Sequence, residues 1–252
     1  MKTLVVSGCS FTFEPWNWPT FVSEHIDYKL INIGMGSTGN GLISKKVIYK
    51  VNELLKTHKP EDIIVGVMWS GIDRTEFFYD PRFYNEKIKN DAGWLENPTS
   101  VCGFGTLKPR KNWVIGNIHW DEEKSKVWYE HLHTDVGATI TTIENILRTQ
   151  WYLEKCGVKY FMSTYMDIFN SENMKVLDIM RNVDVKYLYE MIDFDKFLPV
   201  SGCHEWVKDH YPEKGYNSPT KDGYVGIHPT KFGHKMFAEE VIIPFIDQNI
   251  LS

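Results

Sequence analysis

The chain has 252 residues, with 28 Lys+Arg against 33 Asp+Glu for a formal charge of −5, and is 42% hydrophobic and 14% aromatic. That length supplies a sizeable buried core, the apolar content excludes a disordered or low-complexity chain, and mild acidity without a basic block excludes a generic nucleic-acid binder. Tryptophan stands out, with nine residues where average usage gives roughly three.

Thr3–Ser7 (TLVVS) reads as a first strand, Pro19–Asp27 as a short helix and Lys29–Ile33 as a second strand. Gly41–Thr57 sets Leu42, Val47, Ile48, Val51, Leu54 and Leu55 at helical spacing, and Asp62–Met68 (DIIVGVM) is a continuous apolar strand. Continuous apolar runs separated by helices indicate a parallel sheet buried on both faces. The alternation stops at about 75–134, an aromatic, irregular stretch too long for an ordinary connection and read as a cap-like insertion with one helix at Asp121–His133. It resumes with a helix over Val136–Cys156 stopped by Gly157, a strand at Val158–Thr164, a helix at Ser171–Arg181 and a fifth strand at Val185–Tyr189. Gly202–His228 reads mostly as loop and Thr230–Ile250 as a closing helix. The expected architecture is a single domain over residues 1–252, a three-layer α/β/α sandwich around a mostly parallel five-stranded sheet of flavodoxin-like type.

Cys9, Cys102, Cys156 and Cys203 form no CxxC pair and read as reduced thiols. Val6-Ser7-Gly8-Cys9 resembles a lipoprotein cleavage box, but the apolar stretch before it falls short of the roughly 7–15 residues of a signal's apolar region. No stretch approaches the roughly 20 apolar residues of a membrane span. The expectation is a cytoplasmic protein with no membrane partner.

Ligands of open parallel sheets collect beyond the carboxyl ends of the strands, so the residues just past each strand matter most. After the first comes Gly8-Cys9-Ser10-Phe11-Thr12, where glycine permits a sharp turn that presents the Ser10 hydroxyl; a Ser/Thr turn capping the next helix fits the same residues. After the second comes Gly34-x-Gly36-x-x-Gly39, the dinucleotide-binding spacing, though the next strand lacks the acidic residue that such a site wants at its end. A helix N-terminus with glycine-freed amides also suits a developing oxyanion. The third strand runs into Trp69-Ser70-Gly71-Ile72-Asp73-Arg74, polar groups at the cleft edge. Near the C-terminus, His228 is held by Pro229 where the last helix begins, as a general base must be. His131-x-His133 has diverging rings in a helix and no evident third ligand, and His234 reads as a structural histidine, so no metal site is expected.

Four segments in this order resemble the SGNH (GDSL-like) hydrolase family, in particular the branch whose first block reads GCSFT: Gly8–Thr12, the N-x-G-x-G-S turn at Asn32–Ser37, WS-x-x-x-R at Trp69–Arg74 and HP-x-x-x-GH at His228–His234. The resemblance implies Ser10 as nucleophile and His228 as general base of a hydrolase acting on esters through an acyl-enzyme, without a cofactor. It implies oxyanion donors at the Ser10 amide and at a second-block amide, here Gly36 or Ser37; a backbone donor does not require glycine, so Ser37 can serve with ordinary φ/ψ. Two departures stand against it. The third-block asparagine is absent, leaving Ser70, Gly71 and Asp73, with Asn40 as a substitute that could also be a helix cap. The acid expected three residues before the histidine is Val225, so either Asp222 swings in or a backbone carbonyl orients a Ser–His dyad.

The leading expectation is a serine esterase, acetylesterase-like, acting on a small-molecule ester or an O-acylated glycan, since aromatic faces stack on sugar rings. The alternatives are a weak or inactive glycan-binding or assembly module and a dinucleotide-binding enzyme. Seven of the nine tryptophans, Trp16, Trp18, Trp69, Trp94, Trp113, Trp120 and Trp128, fall beside or over the expected site, as a cleft wall or lid would require.

Overall fold

The computed structural model describes residues 1–78, 113–117, 123–169, 181–216 and 228–252, of which 77–78, 113–117 and 123–126 by backbone only. Strands β1 (Thr3–Ser7), β2 (Lys29–Asn32) and β3 (Ile63–Trp69) form, with Lys159–Thr164, a parallel sheet. The helices between them are α1 (Ser10–Phe13), α2 (Trp18–Ile26) and α3 (Asn40–Leu54). Two further strands, β4 (Arg74–Phe78) and β5 (Trp113–Asn117), pair antiparallel as a separate ribbon. Next come α4 (Glu123–His131), α5 (Asp135–Lys155) and β6 (Lys159–Thr164), which completes the sheet in the order β2-β1-β3-β6.

Every residue of β1 and β3 is buried, as the unbroken apolar runs require of strands covered on both faces. Side chains alternate between two cores. Val5, Val65, Val67 and Met162 pack with Ile43 and Val47 of α3 and Ile143, Ile146 and Leu147 of α5. Leu4, Val6, Met68 and Phe161 pack with Trp18 and Val22 of α2 and with Phe237, Ile242 and Ile246 from the C-terminal helices. This is the expected three-layer arrangement. Helix α5 begins at Thr134, whose side chain accepts from Gly137 N–H, and stops before Gly157 at φ 67°.

The expected fifth strand is a correction. Val185–Tyr189 lies within α6 (Val183–Tyr189), capped by Asn182, whose side chain accepts from the Asp184 and Val185 amides. Of the β-branched and aromatic residues that suggested a strand, Val185 faces the core and Tyr187 is exposed, so a helical face accounts for a pattern that also fits strand alternation. Among the described residues the sheet has four strands, and beyond β6 they add the parallel bridge Met162–Phe197, with Leu198 N–H donating to the Met162 carbonyl. A second correction is α7 (Cys203–His210) inside the segment read as loop. The closing helix is α8 (Lys231–Phe237), a π-helical turn at Ala238–Ile242 and α9 (Ile243–Asn249). Pro244, at the start of α9, lacks an N–H and would clash with the preceding turn of a regular α-helix, and the wider π turn accommodates it. The helix expected at Ser171–Arg181 lies, except for Arg181, outside the described residues. Among the described residues no helix is long and apolar enough to cross a membrane.

One clasp ties α3 to the end of β3. Asn40, at the first turn of α3, accepts from Ser70 N–H at 2.7 Å and donates to the Ser70 carbonyl at 3.0 Å and to Thr142 Oγ1 at 3.2 Å, all buried. Asn40→Ala strands the buried Ser70 amide and is expected to lower unfolding free energy by about 1–3 kcal/mol, read as a lower denaturant midpoint at unchanged slope.

Candidate active site

The carboxyl ends of β1, β2, β3 and β6 open on one edge of the sheet. Beyond β1 the chain turns sharply into α1, with Cys9 as the extended N-cap and Ser10 as the first helical residue. Gly8 is required there, because a Cβ would collide with Thr12 Oγ1 and lie 2.8 Å from the Met68 carbonyl. Two asparagines pin the turn. Asn17 Nδ2 donates to the Ser10 carbonyl at 2.9 Å, and Asn32 Nδ2 donates to the Thr12 carbonyl at 2.6 Å while its Oδ1 accepts from Gly34 N–H at 2.8 Å. Cys9 points into the core beside Cys203, so Ser10 is the member of the pair turned outward.

Ser10 Oγ lies 2.6 Å from His228 Nε2, a contact across 218 residues of sequence. The imidazole rests on Phe11, with ring centroids 4.9 Å apart. The two residues after it, Pro229 and Thr230, set its position. Pro229 bridges Tyr216, Thr230 N–H donates to the Gly215 carbonyl, and Thr230 Oγ1 donates to the Lys214 carbonyl while accepting from Gly233 N–H to cap α8. Burial first, and then the charges of Arg74 and His204, push His228 below the ordinary histidine value, which favours the neutral base. With Ser10 donating to Nε2, the ring proton sits on Nδ1. Among the described residues no carboxylate bonds this ring. Asp222, the expected acid, lies outside them.

His234 is the buried partner behind this pair. Its ring meets Phe11 and Trp16 edge-on, and burial, then His228, push it down to about 3. It packs against Phe11, on which the His228 ring also rests, as expected of a structural histidine.

The second block is tied to the nucleophile turn by Met35 N–H donating to the Gly8 carbonyl at 3.0 Å. Gly36 faces open space, leaving its backbone approachable. Ser37 departs from the ordinary backbone expected of it, with φ 61° in the left-handed region. The first turn of α3 carries a finding that sequence reasoning missed. Glu76 of β4 lays its carboxylate against Gly39 and Gly41, where a Cβ on either glycine would collide with it, and accepts from the Leu42 amide. Burial, against the pull of Lys45, the Leu42 amide and Arg148, raises this carboxyl to about 7. The chain's own carboxylate thus fills the helix N-terminus that a dinucleotide pyrophosphate would need, which overturns the dinucleotide reading.

The third block needs two corrections. Trp69 is fully buried in the core, its Nε1 donating to Met162 Sδ at 3.4 Å, so it forms no cleft wall. Both amide hydrogens of Asn40 are engaged by the clasp and cannot meet an oxyanion. Ser70 is buried, and its Oγ accepts from Arg74 Nη1 at 2.8 Å. The Arg74 guanidinium lies 5.1 Å from the Tyr165 ring, and Tyr165 in turn meets Phe11 edge-on at 5.1 Å. Tyr165 follows β6 directly, so the strand-end rule that singled out Ser10 applied to it equally.

The tryptophan lid is corrected in part. Trp18 is core, Trp16 packs near His234, and Trp128 lines a cavity of about 550 Å³ with Glu76, Lys45 and Arg148. Trp94, Trp120 and the side chain of Trp113 lie outside the described residues. So do most residues of the insertion; its described parts are β4, β5, α4 and the turn into α5, and α4 falls within the helix expected at Asp121–His133.

From residue 7 to residue 251 the sequence matches a family described as "Family of unknown function (DUF6071)". The chain belongs to this family. No curated protein matches the sequence of this DUF6071 member. Among solved structures it is similar to TesA, at 11% identity and TM-score 0.50, over 98% of this chain and 99% of that one. It is also similar to a protein described as lipolytic, of the G-D-S-L family, from Desulfitobacterium hafniense DCB-2, at 12% identity and TM-score 0.47 over 95% and 97% of the two chains. A third is an acetyl xylan esterase (Est2A) from Butyrivibrio proteoclasticus, at 11% identity and TM-score 0.47 over 99% and 64%. The fold of this DUF6071 chain is that of the SGNH (GDSL-like) hydrolases.

Because folded His234 resists protonation down to about 3 while the unfolded residue protonates near 6.5, the unfolded state binds more protons between these values. Stability should fall on acidification below pH 6.5, by up to about 1.4 kcal/mol per pH unit from this residue. His234→Phe should flatten that slope in urea titrations compared at pH 7 and pH 5.

Proposed function

We propose that this DUF6071 member is a serine ester hydrolase in which Ser10 is the nucleophile and His228 the general base. The observation that carries the reading is the 2.6 Å contact between Ser10 Oγ and His228 Nε2 at the carboxyl edge of the sheet, with the imidazole biased to its neutral form. Ser10 Oγ adds to the ester carbonyl as its proton passes to Nε2. The alcohol leaves with that proton, and water, activated by the same nitrogen, releases the acid. The backbone donors proposed for the intermediate are the Ser10 amide, in the first turn of α1, and the Gly36 amide, at a residue where an added Cβ would meet only open space. The substrate class is a small or glycan-borne acyl ester, a reading supported by the aromatic content of the insertion. A specific observation favours a second reading, a non-hydrolytic glycan-binding or assembly module: Asn40 is engaged elsewhere and no third-block carboxamide replaces it.

A fluorophosphonate probe should label Ser10 in the wild type and leave Ser10→Ala unlabelled. Acetyl-ester turnover should drop by at least about 10³-fold in both Ser10→Ala and His228→Ala. Absence of labelling in folded protein defeats the hydrolase reading, and labelling without turnover on varied acyl esters favours the binding module. Since His228 lies below its usual 6.5, the base stays neutral as pH falls through that value, and the acid limb of the rate should lie below pH 6.5.

A further inference from the structure

An ester hydrolase needs donors aimed at the oxygen that becomes negative when the nucleophile adds, and a side-chain donor commonly joins the backbone amides. Around Ser10, three asparagine carboxamides are already engaged. Asn17 holds the Ser10 carbonyl, Asn32 the Thr12 carbonyl, and Asn40 the Ser70 backbone and Thr142. Ser70 Oγ accepts from Arg74 Nη1 and its side chain is fully buried.

Arg74 is differently placed. It is the first residue of β4, close beyond the strand that neighbours β1 in the sheet. Nη1 is anchored on buried Ser70 and the guanidinium plane is backed by Tyr165, so the head group is held at both ends. Its Nε is shielded from solvent yet has no hydrogen-bond partner among the described residues. Of the two described groups whose charge bears on His228, Arg74 is the permanent cation, and the other, His204, bonds Tyr216. This guanidinium, held by Ser70 and Tyr165 and bearing on the charge of His228, pairs with no carboxylate among the described residues.

We propose that Arg74 is the side-chain oxyanion donor of this centre, doing with a charged guanidinium what a carboxamide at the third strand's end would do. The inference rests on the serine hydrolase reading. As the Ser10 oxygen bonds the carbonyl carbon, the π pair of the C=O moves to its oxygen and the Ser10 proton goes to His228 Nε2. An Arg74 N–H then donates to the new oxyanion. Collapse restores C=O, breaks the bond to the alcohol oxygen and delivers the Nε2 proton to it, with Arg74 protonated throughout. Because the guanidinium stays charged throughout, its interaction with the carbonyl oxygen strengthens as negative charge develops there.

The test compares Arg74→Gln and Arg74→Lys with wild type on a neutral acetyl ester and on an ester whose alcohol part bears a carboxylate. Arg74→Gln should lower kcat by about 10²–10³-fold on both substrates alike, with KM little changed, and Arg74→Lys should recover part of the loss. Removing the cation should also let His228 rise, moving the acid limb of the kcat profile to higher pH in Arg74→Gln. Unchanged kcat in Arg74→Gln overturns the proposal, as does a KM increase confined to the anionic ester, which would make Arg74 a substrate anchor. Should Arg74→Gln fail to fold, a wild-type kcat in Arg74→Lys overturns it and a partial loss supports it. Retained Ser10 labelling and Ser10-dependent wild-type turnover keep the hydrolase reading intact in any of these cases, and their absence overturns both.

Discussion

A parallel strand that ends under a buried sheet edge leaves backbone carbonyls and amides without ladder partners, and this protein satisfies them with asparagine. Asn17 and Asn32 hold the two sides of the Ser10 turn, and Asn40 binds both backbone groups of Ser70. The geometry around Ser10 depends on these bonds. They fix the turn after β1 against the loop after β2, and the end of β3 against α3, so that Ser10 is held where a distant histidine meets it. For Asn40, whose two amide hydrogens go to the Ser70 carbonyl and Thr142, the same engagement leaves no donor for an oxyanion.

The strand β4 carries the complementary half of the arrangement. Arg74 and Glu76 are two residues apart and so share a face of this strand. Glu76 is held by the first turn of α3, where the free amide of Leu42 and the cations Lys45 and Arg148 receive it. That docking places Arg74 over Tyr165 and against Ser70. The anion-binding end of a helix is thus used internally, to hold the strand that carries a cation over Tyr165.

Much of this was legible in the residues. The unbroken apolar runs of β1 and β3 could only be strands covered on both faces, and the GCSFT and HP-x-x-x-GH segments pointed to a serine and a histidine that do meet. The failures share one cause, contacts made by residues far off in the chain. Val185–Tyr189 has the composition of a strand, but Asn182 caps a helix there and one buried valine suffices to seat it. Trp69 sits at a strand end, yet its side chain points to the core face that the pleat assigns it. Asn40 looked available because its partner, Ser70, lies 30 residues away. Glu76 went unread because nothing local marks a carboxylate that seats on a helix from another part of the chain.

Local sequence by itself determined the alternation of most helices and strands and the sharp turn at Gly8, and singled out the serine and histidine that the fold brings together, since periodicity and steric limits act over a few residues. Tertiary structure alone decided which polar groups remain free to react. Hydrogen-bond partners across this cleft lie up to 218 residues apart, and a side chain's chemistry depends on whether its donors are already satisfied.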